Sequence, residues 1–243
     1  MPRGTKKRHI SLGNALRGIR ELIANPDDTN QVFIIIRALS GDSFEKLYQR
    51  VLAYPDGDRI LRERTDILSI LTNRAALMDL PEGSLGNSYA RFMETEQISA
   101  DGLVEASNED QNEDYFLDAR ASVLSKRLRD THDLWHVVTG FGRDLIGEAG
   151  LLAFVYAQLR NRGIGFIVAV GAVKLRSGGH PEAPGFIADG YRRGKRAKLL
   201  AAADWEALLP LPLDEVRARL GVEPTKHYEP AFSEEGTRVR QAA

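Results

Sequence analysis

Residues 131–148 read THDLWHVVTGFGRDLIGE, the pattern that we expect of two helices joined by a sharp bend. His132 and His136 are four residues apart, so on a helix both imidazoles project from one face about one turn apart. Gly140 and Gly142 follow, and they allow the chain to turn so that a second helix carries Glu148 back towards the first. We therefore expect four side chains to converge: His132, Asp133, His136 and Glu148.

This set of side chains has the composition of a metal site. Two imidazoles and two carboxylates suit Zn²⁺ or Fe²⁺, and such a set commonly leaves a position for water, oxygen or substrate. The residues around the histidines (Leu134, Trp135, Val137 and Val138) are apolar and indicate a helix that is buried on most sides. Because a buried His-Asp-His group without a partner is costly, burial favours a ligand role. On spacing alone, a coincidental histidine pair is the alternative.

Helical spacing of apolar residues continues on both sides of this segment. It predicts helices over 14–23, from Asp42 to about Tyr54, over 60–80, from Ser84 to Met93, over 114–139 and over 144–159. The β-branched stretch 163–175 has no partner strand or hairpin signal elsewhere, so it too is predicted to be a helix. The small residues of that stretch indicate close helix packing or, alternatively, room for an elongated apolar ligand: Gly165, Ala169, Gly171 and Ala172.

The expected fold class is all-α, a single-domain bundle of roughly eight to ten helices. A basic flexible tail is expected over 1–13, a helical metal-binding domain over 14–228 and a flexible C-terminal tail over 229–243. Residues 100–114 are predicted to be a loop.

Composition limits the function classes. With 243 residues, 43% hydrophobic and 28% charged, the chain is long enough to bury a substantial core. A formal net charge of -1 gives no overall field that would attract nucleic acid. The absence of cysteine from the sequence excludes disulfides, thiol nucleophiles, iron–sulfur clusters and Cys-ligated zinc. Phosphate-loop, dinucleotide-binding and nucleophile-elbow motifs are also absent, so nucleotide and acyl-transfer chemistry lose support.

Neither export nor a membrane span is predicted. Residues 1–25 lack the apolar core of a secretory signal, and charged residues interrupt the most apolar stretch, 151–175, at Arg160 and Arg162. The basic run 192–198, RRGKRAK, is interpreted as a solvated helix face or, alternatively, as a patch for anionic lipid head groups or a prenyl phosphate.

The motif His132-Asp133-x-x-His136, followed after eleven residues by Glu148, resembles the zinc-ligand signature of the coenzyme Q (ubiquinone) biosynthesis protein four family. The similarity covers roughly residues 14–222. Other segments resemble the family in the same order: Asn25-Pro-Asp-Asp-Thr29 with Val32-Phe33, Pro81-x-Gly-Ser-Leu-Gly86 with Tyr89 and Phe92-Met93, and Asp204-Trp-Glu206 with Leu211-Pro-Leu213 and Arg217.

This resemblance implies an all-helical, dimeric protein at a membrane face, with a role in ubiquinone synthesis and a long prenyl tail in an apolar groove near the metal. It implies either of two activities. One is metal-dependent decarboxylation of a prenylated aromatic acid, with hydroxylation at the same ring carbon, which is lyase chemistry. The other is a non-catalytic, prenyl-lipid-binding scaffold that organises the ubiquinone-synthesis enzymes. All four metal positions are present, which favours the enzyme.

The expected cofactor is a divalent metal, Zn²⁺ first and Fe²⁺ as the alternative. The expected partners are the prenylated aromatic quinone precursor, other ubiquinone-synthesis enzymes, the membrane surface and a second copy of the chain. The expected location is cytoplasmic, on the inner face of a bacterial cell membrane; the matrix face of the mitochondrial inner membrane is the alternative.

Two residues beside the ligands receive supporting roles. Arg143 is expected to bind the substrate carboxylate, and Asp144 to support the ligands from outside the coordination sphere. Helical spacing offers groove-lining candidates that core packing explains equally well: Leu152, Val155, Leu159, Ile167, Val170 and Val173.

The His132-Asp133 pair also matches the dyad of all-helical metal phosphohydrolases, a minor alternative because those enzymes need an upstream histidine and only His9 precedes it.

Overall fold

The structure, a computed structural model, describes residues 10–24, 29–64, 66–97, 118–225 and Tyr228. Those residues form fourteen α-helices and no strand, which confirms the all-α fold class. Residues 1–9, 100–114 and 229–243, where tails and a loop were expected, lie outside the described residues.

The helices are numbered in chain order. The first seven are α1 (Leu12–Ala24), α2 (Thr29–Ser40), α3 (Ser43–Leu52), α4 (Gly57–Glu63), α5 (Ile67–Thr72), α6 (Arg74–Met78) and α7 (Leu85–Thr95). The others are α8 (Ala119–Asp130), α9 (His132–Thr139), α10 (Leu145–Leu159), α11 (Arg162–Ser177), α12 (Ala183–Arg196), α13 (Trp205–Leu208) and α14 (Leu213–Leu220), with a 3₁₀ turn at Leu200–Ala202.

The number of helices exceeds the expectation partly because two long helices were predicted where the chain breaks, and partly because α2, α12, α13 and α14 fall outside the predicted helix ranges. The predicted helix over 60–80 is divided at Asp66 and Asn73, whose side chains accept hydrogen bonds from the amides of Ser69 (3.1 Å) and Ala76 (3.3 Å). Each side chain caps a new helix and so competes with continuation of the old one. The predicted helix over 114–139 is broken at Thr131, and its residues 114–117 lie outside the described residues.

Other boundaries agree with the sequence. Ser84 caps α7 through its hydroxyl, which accepts from the amide of Asn87 at 3.2 Å. The ambiguous stretch 163–175 is helical, within α11. Asp42 precedes α3 as predicted, but its carboxylate pairs with Lys46 at 2.7 Å and makes no cap hydrogen bond.

The main core surrounds α9. Leu134, Trp135, Val137 and Val138 are all buried, as expected, against side chains of α7, α10 and α14. Behind them α10 packs on α12 with the two backbones in close approach: a Cβ added to Gly190 would lie 2.1 Å from the carbonyl oxygen of Gly150. This packing fixes α10, which carries Glu148, as a central element of the fold.

The apolar stretch 151–175 is divided between α10 and α11. Arg160 ends α10 in the left-handed region (φ 55°), and Asn161 caps α11 by accepting from the amide of Gly163 at 2.8 Å. Within the described part of the chain, no helix has both the length and the apolar character needed to cross a bilayer.

Candidate metal centre

Helices α9 and α10 bring the four predicted ligands together. His132 and His136 lie one turn apart on α9, with ring centroids 5.1 Å apart. One potential ligand atom from each of His132, Asp133 and His136 lies within 4.8 Å of the other two. The expected grouping on one helix face is therefore present.

Glu148 reaches this group from the first turn of α10. Its Oε1 lies 3.5 Å from Nε2 of His136. The bend that returns α10 begins at Gly140, which ends α9 in the left-handed region at φ 76°. Glu148 thus faces His136 but lies outside the group of three residues whose potential ligand atoms are within 4.8 Å of one another.

His136 is held in the tautomer that a metal ligand needs. Its Nδ1 lies 3.0 Å from the carbonyl oxygen of Phe141, which can only accept, so Nδ1 carries the proton and donates it. In the neutral imidazole Nε2 then presents a lone pair. Nε2 is buried and makes no hydrogen bond of acceptable geometry to any described residue, although a carboxylate oxygen faces it. Two acceptors placed in this way fit a bound cation.

The charges of the site favour the ionised, metal-binding form of its two acids and the protonated form of His132. Burial disfavours the ionised form of Asp133 and of Glu148, yet the imidazoles and Arg143 outweigh burial and keep the pKa of each carboxyl below its ordinary value. Burial likewise opposes protonation of His132, but Asp133 (Oδ1 3.6 Å from Nδ1) and Glu148 outweigh it and raise the pKa of His132. The two acids are therefore carboxylates at neutral pH.

Arg143 is exposed at the start of α10, next to the ligands along the chain. Its positive charge contributes to the lowered pKa of Asp133 and of Glu148. An exposed guanidinium close enough to act on both carboxyls is well placed to meet an anionic group that approaches from solvent.

Two arginines, Arg193 buried and Arg217 half-buried, hold the C-terminal end of α9. Arg217 donates from Nε to the carbonyl oxygen of Val138 (3.0 Å), and Arg193 donates to that of Thr139. These cations satisfy carbonyls that have no partner within the helix and complement its dipole. The interpretation of 192–198 as wholly surface is thus wrong at Arg193, which is 6% exposed, whereas Arg192 and Lys195 are exposed. Arg193 lies at helical spacing from the buried residues Ala183, Ile187 and Gly190, and this spacing could have predicted its burial from the sequence.

Helix α7 contributes aromatic contacts to which sequence reasoning gave no role. Phe92 stacks on His136, with centroids 5.7 Å apart and planes at 22°. Tyr89 is fully buried, its hydroxyl has no hydrogen-bond partner among the described residues, and burial together with Asp133 raises its pKa. Both residues belong to segments that carry the family resemblance. That resemblance was the only feature of the sequence that could have indicated a role for them at the site.

Asp144 supports the site by capping the helix of Glu148. Its Oδ1 accepts from the amides of Ile146 and Gly147, both at 3.1 Å, and its Oδ2 accepts from the hydroxyl of Tyr228. Burial and the Asp144 carboxylate raise the pKa of Tyr228. These hydrogen bonds act on the backbone of α10 and on Tyr228, so the expected support of the ligands by Asp144 stays a prediction.

An apolar groove of about 290 Å³ lies between α10, α11 and α12. Three of the small residues singled out in the sequence, Gly165, Ala169 and Ala172, line it together with Tyr156 and Tyr191. The larger candidates do not: Leu152, Val155, Leu159, Ile167 and Val170 pack into core clusters, and Val173 is 70% exposed. Large aliphatic side chains fill the space between helices, whereas small ones leave it open.

Comparison with known proteins identifies the family. The model of the family described as coenzyme Q (ubiquinone) biosynthesis protein Coq4 matches residues 5–226. This chain belongs to the Coq4 family. A ubiquinone biosynthesis protein coq4, mitochondrial, from Talaromyces stipitatus is 30% identical over 226 residues, 88% of this chain and 75% of that protein. The protein of the same name from Aspergillus flavus is 32% identical over 182 residues, 73% of this chain.

A solved structure of similar fold agrees with this placement. A crystal structure from Nostoc punctiforme PCC 73102, described as a ubiquinone biosynthesis protein, superimposes with a TM-score of 0.64 and 26% identity, covering 86% of this chain and 97% of that one. The match to the Aspergillus flavus Coq4 protein spans 60% of that protein's length.

Proposed function

We propose that this Coq4-family chain performs a metal-dependent step of ubiquinone synthesis, the decarboxylation of a prenylated aromatic acid with hydroxylation at the same ring carbon. The carboxyl group leaves as carbon dioxide, a hydroxyl from water takes its place, and dioxygen takes up the two electrons and becomes hydrogen peroxide. The observation that carries the proposal is the buried Nε2 of His136, which has no hydrogen-bond partner among the described residues and faces Glu148 at 3.5 Å. Family membership supports the pathway, and the ligand set supports the metal.

Different residues of the site would bind the metal, orient His136 and bind the substrate. His132, Asp133, His136 and Glu148 would hold the cation, Zn²⁺ or Fe²⁺. Bound there, the cation supplies Lewis-acid stabilisation for the negative charge that develops as carbon dioxide leaves. The carbonyl of Phe141 keeps the Nδ1 proton of His136 in place, and Phe92 covers one face of that ring. Arg143, exposed beside the ligands, binds the carboxylate of the substrate.

The groove supports a prenylated substrate. Ala153 and Tyr156 line it from α10, roughly 7 to 12 Å along the helix axis from Glu148. Ala169 and Ala172 on α11 and Ile187 on α12 make its wall apolar. We propose that an elongated hydrocarbon seated there extends along α10 towards the ligands, so that an attached aromatic ring reaches them.

The decisive experiment measures metal content and carbon dioxide release together. The zinc- or iron-loaded protein is incubated under air with a prenylated hydroxybenzoate, beside Glu148→Gln, His132→Ala and the control His180→Ala, which removes a histidine outside the site. We expect one metal per chain and carbon dioxide release in the parent and control proteins. Both site variants should lose turnover, and their metal affinity should fall by at least about tenfold. Carbon dioxide release that persists without metal would contradict the proposal.

The groove has its own test. Ala169→Phe places a ring in the groove, so KM for a long-tailed substrate should rise while kcat and KM for a short-tailed analogue stay unchanged. Val173→Phe adds the same ring on the same helix at a residue outside the groove, and we expect no effect. Equal effects of the two substitutions would argue against the groove as the tail site.

A scaffold is the second candidate. The groove lining has no charged or carboxamide side chain, and its polar side-chain groups are the hydroxyls of Tyr156 and Tyr191, so a prenyl lipid can be held there without being transformed. In that case the metal stabilises the protein, and Glu148→Gln lowers its unfolding temperature while lipid binding persists. Stoichiometric metal without carbon dioxide release under any of the tested conditions would favour the scaffold.

A further inference from the structure

Tyr228 contacts the loop between the two ligand-bearing helices from both sides. Its hydroxyl donates to Oδ2 of Asp144 and accepts from the amide of Gly142 at 3.2 Å. Its ring meets the edges of Phe141 and Phe186, with centroids 5.6 Å and 5.4 Å away. The side chain is thus joined by two hydrogen bonds and two aromatic contacts, although it lies far from the ligands in sequence.

The two residues that Tyr228 holds lead directly to the two halves of the metal centre. The backbone carbonyl oxygen of Phe141 accepts a hydrogen bond from Nδ1 of His136, so the position of Phe141 orients that imidazole. Asp144 caps α10, and its carbonyl accepts from the amide of Glu148 at 2.8 Å, so its position sets the first turn of that helix. Tyr228 therefore links Phe141, which orients His136, to Asp144, which caps the helix that carries Glu148.

Packing around the hydroxyl leaves little freedom. A Cβ added to Gly147 would lie 2.3 Å from the Tyr228 hydroxyl and 2.3 Å from the carbonyl oxygen of Gly142. Residue 147 must therefore be glycine for the tyrosine to reach Asp144 while α10 starts where it does. This close approach places Glu148, the next residue, in a fixed relation to Tyr228.

We propose that Tyr228 is a positioning residue of the metal centre, whose hydroxyl sets the spacing between His136 and Glu148. The proposal deepens the proposed function and rests on it for the identity of the bound group. It assigns a function to a residue whose hydrogen bonds and ring contacts reach Gly142, Asp144, Phe141 and Phe186 and none of the four predicted ligands.

The chain contains a matched control. The hydroxyl of Tyr48 donates to Asp118, which caps α8 as Asp144 caps α10. Among the residues that the structure describes, none of the hydrogen bonds of Tyr48 involves the four predicted ligands. Tyr228→Phe and Tyr48→Phe each remove one hydroxyl from a helix-capping aspartate. Any general cost to stability is therefore shared, whereas an effect on the metal centre is not.

The test is a zinc competition titration of the full chain. We expect Tyr228→Phe to raise the Kd for Zn²⁺ about tenfold, by loosening groups outside the coordination sphere, and Tyr48→Phe to leave it unchanged. Equal Kd values for Tyr228→Phe and the parent protein, or equal changes in both variants, would overturn the proposal. Because the readout is binding, a protein that binds zinc without turnover tests the positioning role while contradicting the enzyme.

Hydrogen exchange of the metal-free protein gives a readout that needs no metal. Tyr228→Phe should speed exchange of the Ile146, Gly147 and Glu148 amides at least about threefold relative to the parent, and Tyr48→Phe should not. If the parent protein binds no zinc, the metal part of the proposed function fails, yet faster exchange in Tyr228→Phe alone still supports positioning of Glu148. Unchanged exchange at those three amides would overturn it.

Discussion

Arg127 and Glu206 form a bidentate ion pair in the interior, with Nη1–Oε1 and Nη2–Oε2 distances of 2.6 Å and 2.9 Å. Their side chains are only 4% and 8% exposed. Arg127 also donates to the carbonyl of Arg64, so the pair joins α8, α13 and the end of α4. This contact gives a structural reason for Glu206 in the segment Asp204-Trp-Glu206, one of those that carry the family resemblance.

Breaking this pair should be costly. Arg127→Met leaves the Glu206 carboxylate buried without its cation, and we expect the free energy of unfolding to fall by about 3–5 kcal/mol. Urea titration followed by circular dichroism measures the change. Arg219→Gln, which breaks the exposed Arg219–Glu215 pair, should cost less than about 1 kcal/mol. Similar losses in the two variants would show that burial does not control the value of the pair.

Arg192 and Arg193 are adjacent basic residues with different expected effects. Arg193→Met leaves the carbonyls of Thr139 and Glu223 without their donor, so stability should fall by about 2 kcal/mol. Arg192 is exposed, and Arg192→Met should change stability by no more than about 0.5 kcal/mol. Thermal unfolding of the two variants makes the comparison, and an equal response would contradict the assignment of Arg193 to the interior.

The contact between α10 and α12 depends on small residues. In Gly190→Ala the new Cβ must displace the backbone at Gly150. We expect the free energy of unfolding to fall by about 1–3 kcal/mol. Gly171→Ala is the matched control, because a Cβ there meets nothing within 4 Å and the helix gains from alanine. Its stability should be unchanged or up to about 1 kcal/mol higher. The midpoints of urea unfolding measure both changes. An unchanged midpoint in Gly190→Ala would mean that α10 and α12 lie further apart than the structure shows.

Asp118 should make stability depend on acid pH. Burial raises the pKa of Asp118, but the amide of Ala121, the Tyr48 hydroxyl and Arg120 outweigh burial and lower it overall. A carboxyl with a lowered folded-state pKa contributes stability above its ordinary value, about 4, and loses that contribution as pH falls through the folded-state value. The unfolding temperature of the parent protein should therefore exceed that of Asp118→Ala most at pH 6–7, and the difference should shrink below about pH 4.

Tyr48→Phe provides the check on this pH dependence. It removes one of the donors that lower the pKa of Asp118, so the loss of stability should begin at a higher pH than in the parent protein. Unfolding temperatures from pH 2.5 to 7 give both curves. A difference between the parent protein and Asp118→Ala that stays constant over this range would contradict the lowered pKa.

Local signals predicted much of the fold and the ligands. The four-residue spacing of His132 and His136 requires only a helix, and the caps at Ser84 and Asp144 act within three residues of themselves. Wrong predictions occurred where two local signals competed. At Asp66 and Thr131, apolar periodicity favoured one helix, while polar side chains that bond to nearby backbone favoured a break.

Contacts between distant segments needed the tertiary structure. The segments around Ser84 and Pro212 both carry the family resemblance, yet only the fold shows that the amide of Leu85 donates to the carbonyl of Leu211 at 2.8 Å. The inward direction of Arg193 and the hydrogen bonds of Tyr228 are of the same kind. A hydrogen bond between residues far apart in the chain leaves no period and no spacing in the sequence.

The sequence by itself therefore determined the helical class and predicted the four candidate ligand residues, because each follows from residue type and from spacing within a turn or two of helix. Tertiary structure alone decided the tautomer of His136, the 3.5 Å approach of Glu148, the lining of the groove and the support from Tyr228. Those features depend on how helices pack, and packing is set by the shapes of many side chains together.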